Sequence, residues 1–357
     1  MSAVISPTVV RVATAAGAYD VLVGAGLLSE IGSLLAATDR GKIALICDDN
    51  VDRLYAGPVT ASLKSAGLTV CKFVFHPGEA QKTLTTVAEI LDFMSREQLT
   101  RTDRVLALGG GITGDVAGFA ASIYLRGIHY VQIPTSLLAM VDSSVGGKTG
   151  VNLPLGKNLA GSFWQPSLVL CDPETLRTLP QDCLGDGLAE MIKYGMIADP
   201  TLFELLDSPD SAAHWETLIA RNINIKSRFV ATDTFDRGER QLLNFGHTFG
   251  HAVEKCSAYS ISHGQAVAIG MVMAARAAER LGISSEPVLP RLCALLEKVG
   301  LPQATDLPVE SLIGAAMSDK KRSGDTIRFV MPEAIGRCVL YPVPVSRIAE
   351  IFQLGVA

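Results

Sequence analysis

The chain has 357 residues, with 31 Lys and Arg against 36 Asp and Glu, giving a formal net charge of −5. Hydrophobic residues make up 48%, charged residues 19%, and mean hydropathy is +0.31; this excludes intrinsic disorder, and the mild acidic excess speaks against nucleic acid as the main partner. The longest apolar runs, near 116–125 and 266–275, stop short of the roughly 18–20 residues a spanning helix needs, so no membrane segment is expected.

The length favours two domains. No basic region followed by an apolar core precedes Arg11, so no signal peptide is expected and the reducing cytoplasm is the compartment implied. Residues 42–47 (KIALIC) and 70–75 (VCKFVF) read as strands, with a helix over 57–67 between them. A helix over 83–97 carries Leu84, Val87, Ile90, Leu91 and Met94 on one face. Further strands are expected over 104–108 and 130–133. Strands alternating with helices imply a parallel sheet with crossover helices.

The strand over 104–108 runs into Gly109-Gly110-Gly111-Ile112-Thr113-Gly114-Asp115, which satisfies G-x-G-x-x-G. Glycines let backbone approach a pyrophosphate, and a helix N-terminus offers free N–H groups to the anion. The acidic residue expected about 20 positions later for the ribose is missing. Asp48 with Asn50, at the end of the 42–47 strand, is the better candidate, so a dinucleotide fits but the usual Rossmann order does not. Ser143-Ser144-Val145-Gly146-Gly147-Lys148-Thr149 ends like a P-loop, but the first glycine of that motif would fall on Asp142. What remains is a glycine-flanked Lys148 near Asp142.

From about residue 184 the pattern turns helical, over 186–197, 202–206, 212–230, 244–255, 264–281 and 290–299, with a late strand over 326–331. The composition shift puts a domain boundary near 166–180, and the junction of two such domains is the expected place for a site. Three of six histidines, His247, His251 and His263, fall within seventeen residues. On one helix His247 and His251 share a face at i, i+4, suited to a divalent metal, with His263 or Glu190 as third ligand; helix-packing histidines are the alternative. His76, His129 and His214 read as isolated and structural or exposed. Lys226, Arg228, Arg237 and Arg240, and the run Asp319-Lys320-Lys321-Arg322, would suit a multiply anionic substrate if they converge. Seven scattered cysteines without a Cys-x-x-Cys read mostly as small buried hydrophobes.

Gly78-Glu79 with Lys82, GGGITGDVAGFAAS (109–122), RGIHYVQIPTSLLAMVDSSVGGKTGVN (126–152), GKNLAGSFWQP (156–166), GLAEMIKYG (187–195), LLNFGHTFGHAVE (242–254) and HGQAVAIGM (263–271) combine into one pattern. It resembles the 3-dehydroquinate synthase family of sugar-phosphate cyclases, whose fold is akin to that of glycerol dehydrogenases and iron-type alcohol dehydrogenases. The resemblance covers nearly the whole chain. It implies a Rossmann-like parallel-sheet NAD-binding domain over 1–170 and a mainly α-helical metal- and substrate-binding domain over 171–357. A divalent metal, zinc or alternatively cobalt, would be held by Glu190, His247 and His263, which moves His251 from ligand to substrate neighbour. Bound NAD would meet Asp48, Asn50, Glu79, Lys82, Gly110, Gly111, Asp115, Thr135, Ser136, Asp142, Lys157, Thr178 and Leu179.

The implied substrate is a seven-carbon keto acid phosphate, 3-deoxy-D-arabino-heptulosonate 7-phosphate, converted to 3-dehydroquinate and phosphate in the shikimate pathway. Transient oxidation by NAD, phosphate elimination, re-reduction and an intramolecular aldol make up the reaction. Lys148, Asn158, His251 and Lys320 or Lys321 match the phosphate end, with Arg126 reaching across a homodimer interface. Lys226 and Arg240 match the carboxylate end, and Lys193, Asp236 and Asn244 line the site. Two positions depart from the family pattern: Cys183 beside Asp182 stands where a cofactor-contacting Glu is common, and Asp236 where a Glu is common. The competing expectations are a sister cyclase such as an aminodehydroquinate synthase, a glycerol-dehydrogenase-like oxidoreductase, and a non-enzymatic module with a structural metal.

Overall fold

The computed structural model describes residues 6–15, 17–36, 41–233, 238–258, 260–317 and 325–356. The chain divides into two compact units, Met1–Leu179 with Lys226–Thr234, and Pro180–Ile225 with Phe235–Ala357. Among the described residues no helix is long and apolar enough to cross a membrane.

The first unit contains β1 (Thr8–Thr14), β2 (Gly17–Val23), β3 (Lys42–Asp48), β4 (Thr69–Phe75), β5 (Arg104–Gly109), β6 (His129–Pro134), β7 (Lys148–Leu153), β8 (Gly156–Phe163) and β9 (Leu168–Cys171). Seven of them form one sheet in the order β1-β2-β9-β6-β5-β3-β4, parallel except for the antiparallel β1–β2 pair. Ile43, Leu45 and Cys47 pack on one face with Leu27, Ile31, Val59 and Leu63. Ala44 and Ile46 pack on the other with Val87, Ile90, Val116 and Ala117. Alternate side chains point to opposite faces, and both faces are covered, so β3 reads as an unbroken apolar run.

Helix Leu84–Arg96 is capped by Thr83, whose hydroxyl accepts the Thr86 N–H at 3.2 Å. Its buried stripe is Val87, Ile90, Phe93 and Met94. Leu84, expected on that face, is half exposed because it opens the helix ahead of the packed turns.

From β3 the chain moves outward to β4, then returns past β3 to β5 and on to β6 and β9. The β3/β5 neighbours are therefore the topological switch point, outside whose carboxyl ends ligands of such sheets bind. Hairpin β7–β8, which the sequence pattern did not announce, packs on helix Gly111–Ile123. Gly146 and Gly147, at φ +99° and +67°, turn the chain into β7, so Lys148 opens a strand and not the helix a P-loop requires.

The second unit is built from helices Gln181–Ala198, Pro200–Leu206, His247–Cys256, His263–Arg280, Leu289–Lys298, Val309–Met317 and Ile348–Val356, with the hairpin of β10 (Thr326–Ala334) and β11 (Arg337–Pro344). Helix Trp215–Thr232 begins in this unit and ends in the first. The expected helix start at Asn244 is corrected: Glu239–Asn244 forms a 3₁₀ turn, and Gly246 in the left-handed region (φ +78°) delays the helix to His247. Of the seven cysteines, all free, Cys47, Cys171 and Cys338 are buried, three are half-buried, and Cys183 is exposed. The expectation that most are buried is corrected: three of the seven are.

Candidate functional site

In the first unit, most residues expected to hold a dinucleotide gather at the carboxyl edge of the sheet. Asp48 ends β3, and its Oδ1 accepts the backbone N–H groups of Asn50 and Val51 at 2.9 and 3.0 Å. After β4 come Gly78, Glu79 and Lys82; the buried Lys82 ammonium pairs with Asp115. Burial pushes the Asp115 carboxyl up, and the Lys82 charge opposes that shift. After β5, Gly110 precedes helix Gly111–Ile123 and supplies no side-chain cap, so the first N–H groups of that helix have no capping side chain. A Cβ on Gly111 would lie 3.0 Å from Ser143 Oγ. The hydroxyls of Ser143 and Thr113 are buried without a hydrogen-bond partner. Thr135 and Ser136 follow β6, the Thr135 N–H donating to the Gly109 carbonyl at 3.0 Å. The Thr178 hydroxyl meets that of Tyr55, and the Leu179 N–H donates to Leu176 at 3.2 Å.

Asp142 lies in the turn Ala139–Ser143 and accepts at Oδ1 from the buried Lys226 ammonium at 2.8 Å. Lys148 opens β7, and Lys157 and Asn158 lie on β8. Arg126 is exposed after helix Gly111–Ile123, with φ +69°.

In the second unit, Glu190, His247 and His263 present ligand atoms that all lie within 4.8 Å of one another. Each comes from a different helix. Glu190 is fully buried, and neither of its carboxylate oxygens accepts a hydrogen bond, although the Lys193 ammonium touches Oε2 as an ion pair. Nε2 of His247 and Nε2 of His263 each stand 3.6 Å from Glu190 Oε1. His247 Nδ1 is 3.1 Å from the Phe245 carbonyl, which can only accept, so Nδ1 carries the proton and Nε2 the lone pair. His263 Nδ1 faces the buried Glu254 carboxylate at 3.5 Å. Burial pulls His263 down, but the adjacent Glu190 and Glu254 carboxylates outweigh it and push the imidazole up to about 10. A buried carboxylate oxygen, Oε1, without a hydrogen-bond partner and facing two imidazole nitrogens is a donor set that fits zinc or a neighbouring divalent ion.

His251 stays outside this group, its ring 5.4 Å from that of His247 and 6.4 Å from that of His263. Helical spacing alone had paired His247 with His251. Two close approaches bring the ligand helices together: a Cβ on Gly264 would lie 2.3 Å from Asp186 Cα, and one on Gly270 2.0 Å from the Gly246 carbonyl oxygen. Arg240 is buried, and Asn244 Nδ2 donates to the Gln241 carbonyl at 3.1 Å. Asp236, Lys320 and Lys321 lie outside the described residues. His76 and His214 are exposed beside Asp49 and Asp210, and His129 is exposed. Sequence reasoning missed Ser143, Glu254 and Asn152. Glu254 sits three residues after His251, a spacing that signals a shared helix face.

A family profile described as 3-dehydroquinate synthase N-terminal matches residues 72–186, and its C-terminal counterpart matches 187–322. The chain is 44% identical over 345 residues to a 3-dehydroquinate synthase of Streptococcus suis (strain 05ZYH33), covering 94% of this chain and 97% of that protein. Identity to the Streptococcus thermophilus (strain CNRZ 1066) protein of the same name is 44% over 343 residues, with the same coverage. A 2-deoxy-scyllo-inosose synthase solved with carbaglucose-6-phosphate, NAD+ and Co2+ superposes with a TM-score of 0.88 at 27% identity, covering 98% of this chain and all of that one. A 2-epi-5-epi-valiolone synthase from Streptomyces hygroscopicus with NAD+ and Zn2+ gives 0.84 at 30%, covering 94% and 96%. An iron-containing alcohol dehydrogenase from Thermotoga maritima gives 0.65 at 14%, covering 95% and 98%, a likeness of fold alone. Two family profiles that together span residues 72–322, and relatives 44% identical over 94% of the chain, carry one conclusion: the chain belongs to the 3-dehydroquinate synthase family.

Proposed function

We propose that this protein is a phosphate-eliminating carbon–oxygen lyase that converts 3-deoxy-D-arabino-heptulosonate 7-phosphate to 3-dehydroquinate and phosphate. The observation that carries the reading is the buried Glu190, whose Oε1 has no hydrogen-bond partner and faces Nε2 of both His247 and His263. Identity of 44% to 3-dehydroquinate synthases, against 27% and 30% to two sister cyclases and 14% to an alcohol dehydrogenase, disfavours the alternative activities.

Glu190, His247 and His263 would hold a divalent zinc or cobalt ion. Asp48, Asn50, Glu79, Lys82, Gly110, Gly111, Asp115, Thr135, Ser136, Asp142, Lys157, Thr178 and Leu179 would hold NAD. When bound, NAD supplies a hydride acceptor restored within each turnover, and the cation supplies Lewis acidity toward a substrate hydroxyl. The chain's own groups do the rest. His247, its proton fixed on Nδ1, presents a lone pair at Nε2. Lys226 and Arg240 would pair as cations with the substrate carboxylate. Lys148, Asn158 and His251, with Lys320 or Lys321, stabilise the departing phosphate. Lys193, Asp236 and Asn244 line the site. The N-terminal region would serve the cofactor and the C-terminal region the metal, along the 1–170 and 171–357 division except for Thr178 and Leu179, which belong with the first unit. The setting is the cytoplasm, and the assembly a homodimer with Arg126 reaching its partner. Exposed Ile123, Leu125, Leu159 and Phe163, on the end of helix Gly111–Ile123 and the hairpin packed against it, support that interface.

The test is turnover of the seven-carbon keto acid phosphate. One phosphate is released per substrate with no net reduced nicotinamide; steady accumulation of the reduced cofactor would overturn the reading. Metal binding also depends on acidity in a defined direction. Below about 10, His263 in the metal-free protein carries a proton that the ion must displace. Affinity for Zn2+ therefore rises about tenfold per pH unit from the mildly acidic to the mildly alkaline range. Competition against a chromophoric chelator measures it, and an affinity independent of pH contradicts it.

A further inference from the structure

Hairpin β7–β8 breaks its own ladder around Asn152, where one residue of β7 faces three of β8. The register runs from Lys148 opposite Phe163 to Val151 opposite Ala160, then shifts to Leu153 opposite Gly156, so Asn152 on β7 stands against Lys157, Asn158 and Leu159 on β8, outside the regular pairing. Such irregularities re-aim a side chain and are common beside active sites. Asn152 uses its freedom three ways. Its backbone N–H donates to the Lys82 carbonyl at 2.8 Å. Its Nδ2 donates to Glu79 Oε1 at 2.7 Å, and its Oδ1 accepts the backbone N–H of Asn158 at 2.8 Å. Asn158 itself is held at φ +54°, a left-handed conformation that asparagine visits more readily than most residues but that still needs support.

We infer that Asn152 is a positioning residue that sets Glu79, on the nucleotide side, and Asn158, on the phosphate side, in one fixed geometry. The inference rests on the functional reading above. A neutral amide is the group this place requires. One end must donate to a carboxylate and the other must accept from an N–H, and only a primary amide of this length offers both. A carboxylate here would keep the bond to Asn158 and repel Glu79. An isosteric aliphatic group would lose both bonds. The Lys82 contact anchors the arrangement further, because Lys82 is tied to Asp115 on helix Gly111–Ile123.

The test compares Asn152→Asp, Asn152→Leu and the exchanged pair Glu79→Gln/Asn152→Asp in the full-length protein loaded with Zn2+. The NAD dissociation constant and the KM for the keto acid phosphate are both measured. Asn152→Asp is expected to raise the NAD dissociation constant about tenfold while leaving that KM within about twofold of wild type, whereas Asn152→Leu raises both. The exchanged pair restores a donor and acceptor across the gap, so its NAD affinity recovers relative to Asn152→Asp alone. Parallel changes in both constants for Asn152→Asp, or no recovery in the exchanged pair, overturn the inference. Wild-type protein that binds NAD but releases no phosphate overturns the functional reading instead, and the NAD affinities then decide the Glu79 arm by themselves.

Discussion

Glu190→Gln lowers phosphate release by about a thousandfold or more. The substitution keeps the shape of the side chain but replaces a charged acceptor with a neutral amide whose NH2 end can only donate. Lewis-acid assistance from a bound ion amounts to several kcal/mol, and at about 1.4 kcal/mol per decade this corresponds to roughly three decades of rate. Glu190 is fully buried and supplies the one carboxylate of the Glu190, His247 and His263 group. Lys193, itself buried, loses its ion-pair partner at the same time. Removing one member of a buried pair costs about 3–5 kcal/mol, so a lower melting temperature accompanies the lost activity. Phosphate release, metal content after dialysis and thermal melting measure the three effects together. Near-normal turnover with full metal content would remove Glu190 from the site.

Gly264→Ala should damage both fold and metal affinity without touching a ligand. The added Cβ would stand 2.3 Å from Asp186 Cα and 2.9 Å from the Asp186 carbonyl oxygen, both backbone atoms that cannot swing aside. Helices Gln181–Ala198 and His263–Arg280 must therefore separate locally. Asp186 Oδ1 also accepts the Gly264 N–H at 2.8 Å and the Ser262 hydroxyl at 2.5 Å, bonds that hold the start of the second helix. Overpacking of about 1–3 kcal/mol and a weakened helix start of about 1 kcal/mol give an expected loss of about 2–4 kcal/mol. Glu190 lies one helical turn beyond Asp186, and His263 lies beside Gly264. The same separation should weaken Zn2+ binding at least about tenfold. Gly57→Ala is the control, since its Cβ would meet nothing within 4 Å. An unchanged melting temperature and zinc affinity in Gly264→Ala would refute the packing account.

What could be read from the sequence followed burial. β3 was legible as KIALIC because both of its faces are covered, and helix His263–Arg280 because nearly all of it is buried. β1 was not, since four of its seven residues are exposed and its apolar signal is correspondingly thin. The β7–β8 hairpin was hidden by glycines and by the exposure of Leu155 and Leu159. At the site, helical periodicity pointed to His247 and His251, which do share a helix. The residue that completes the cluster, His263, comes from another helix, and no local period encodes that meeting. The residues alone left His263 and Glu190 as alternatives for a third ligand beside His247 and His251; only the family resemblance joined Glu190 with both His247 and His263. Asn152 escaped notice because its importance lies in a register shift, which depends on how two strands meet and not on either strand's own pattern.

The first unit is discontinuous: the chain leaves it after Leu179 and returns at Lys226. A gene fragment ending at residue 179 would therefore lack the ammonium that meets Asp142. Recombination between relatives by a single crossover faces the same obstacle, because a join near 180 draws Asp142 from one parent and Lys226 from the other. Inheritance of the whole first unit requires three crossovers, so its two segments must change in concert even though Asp142 and Lys226 are 84 positions apart.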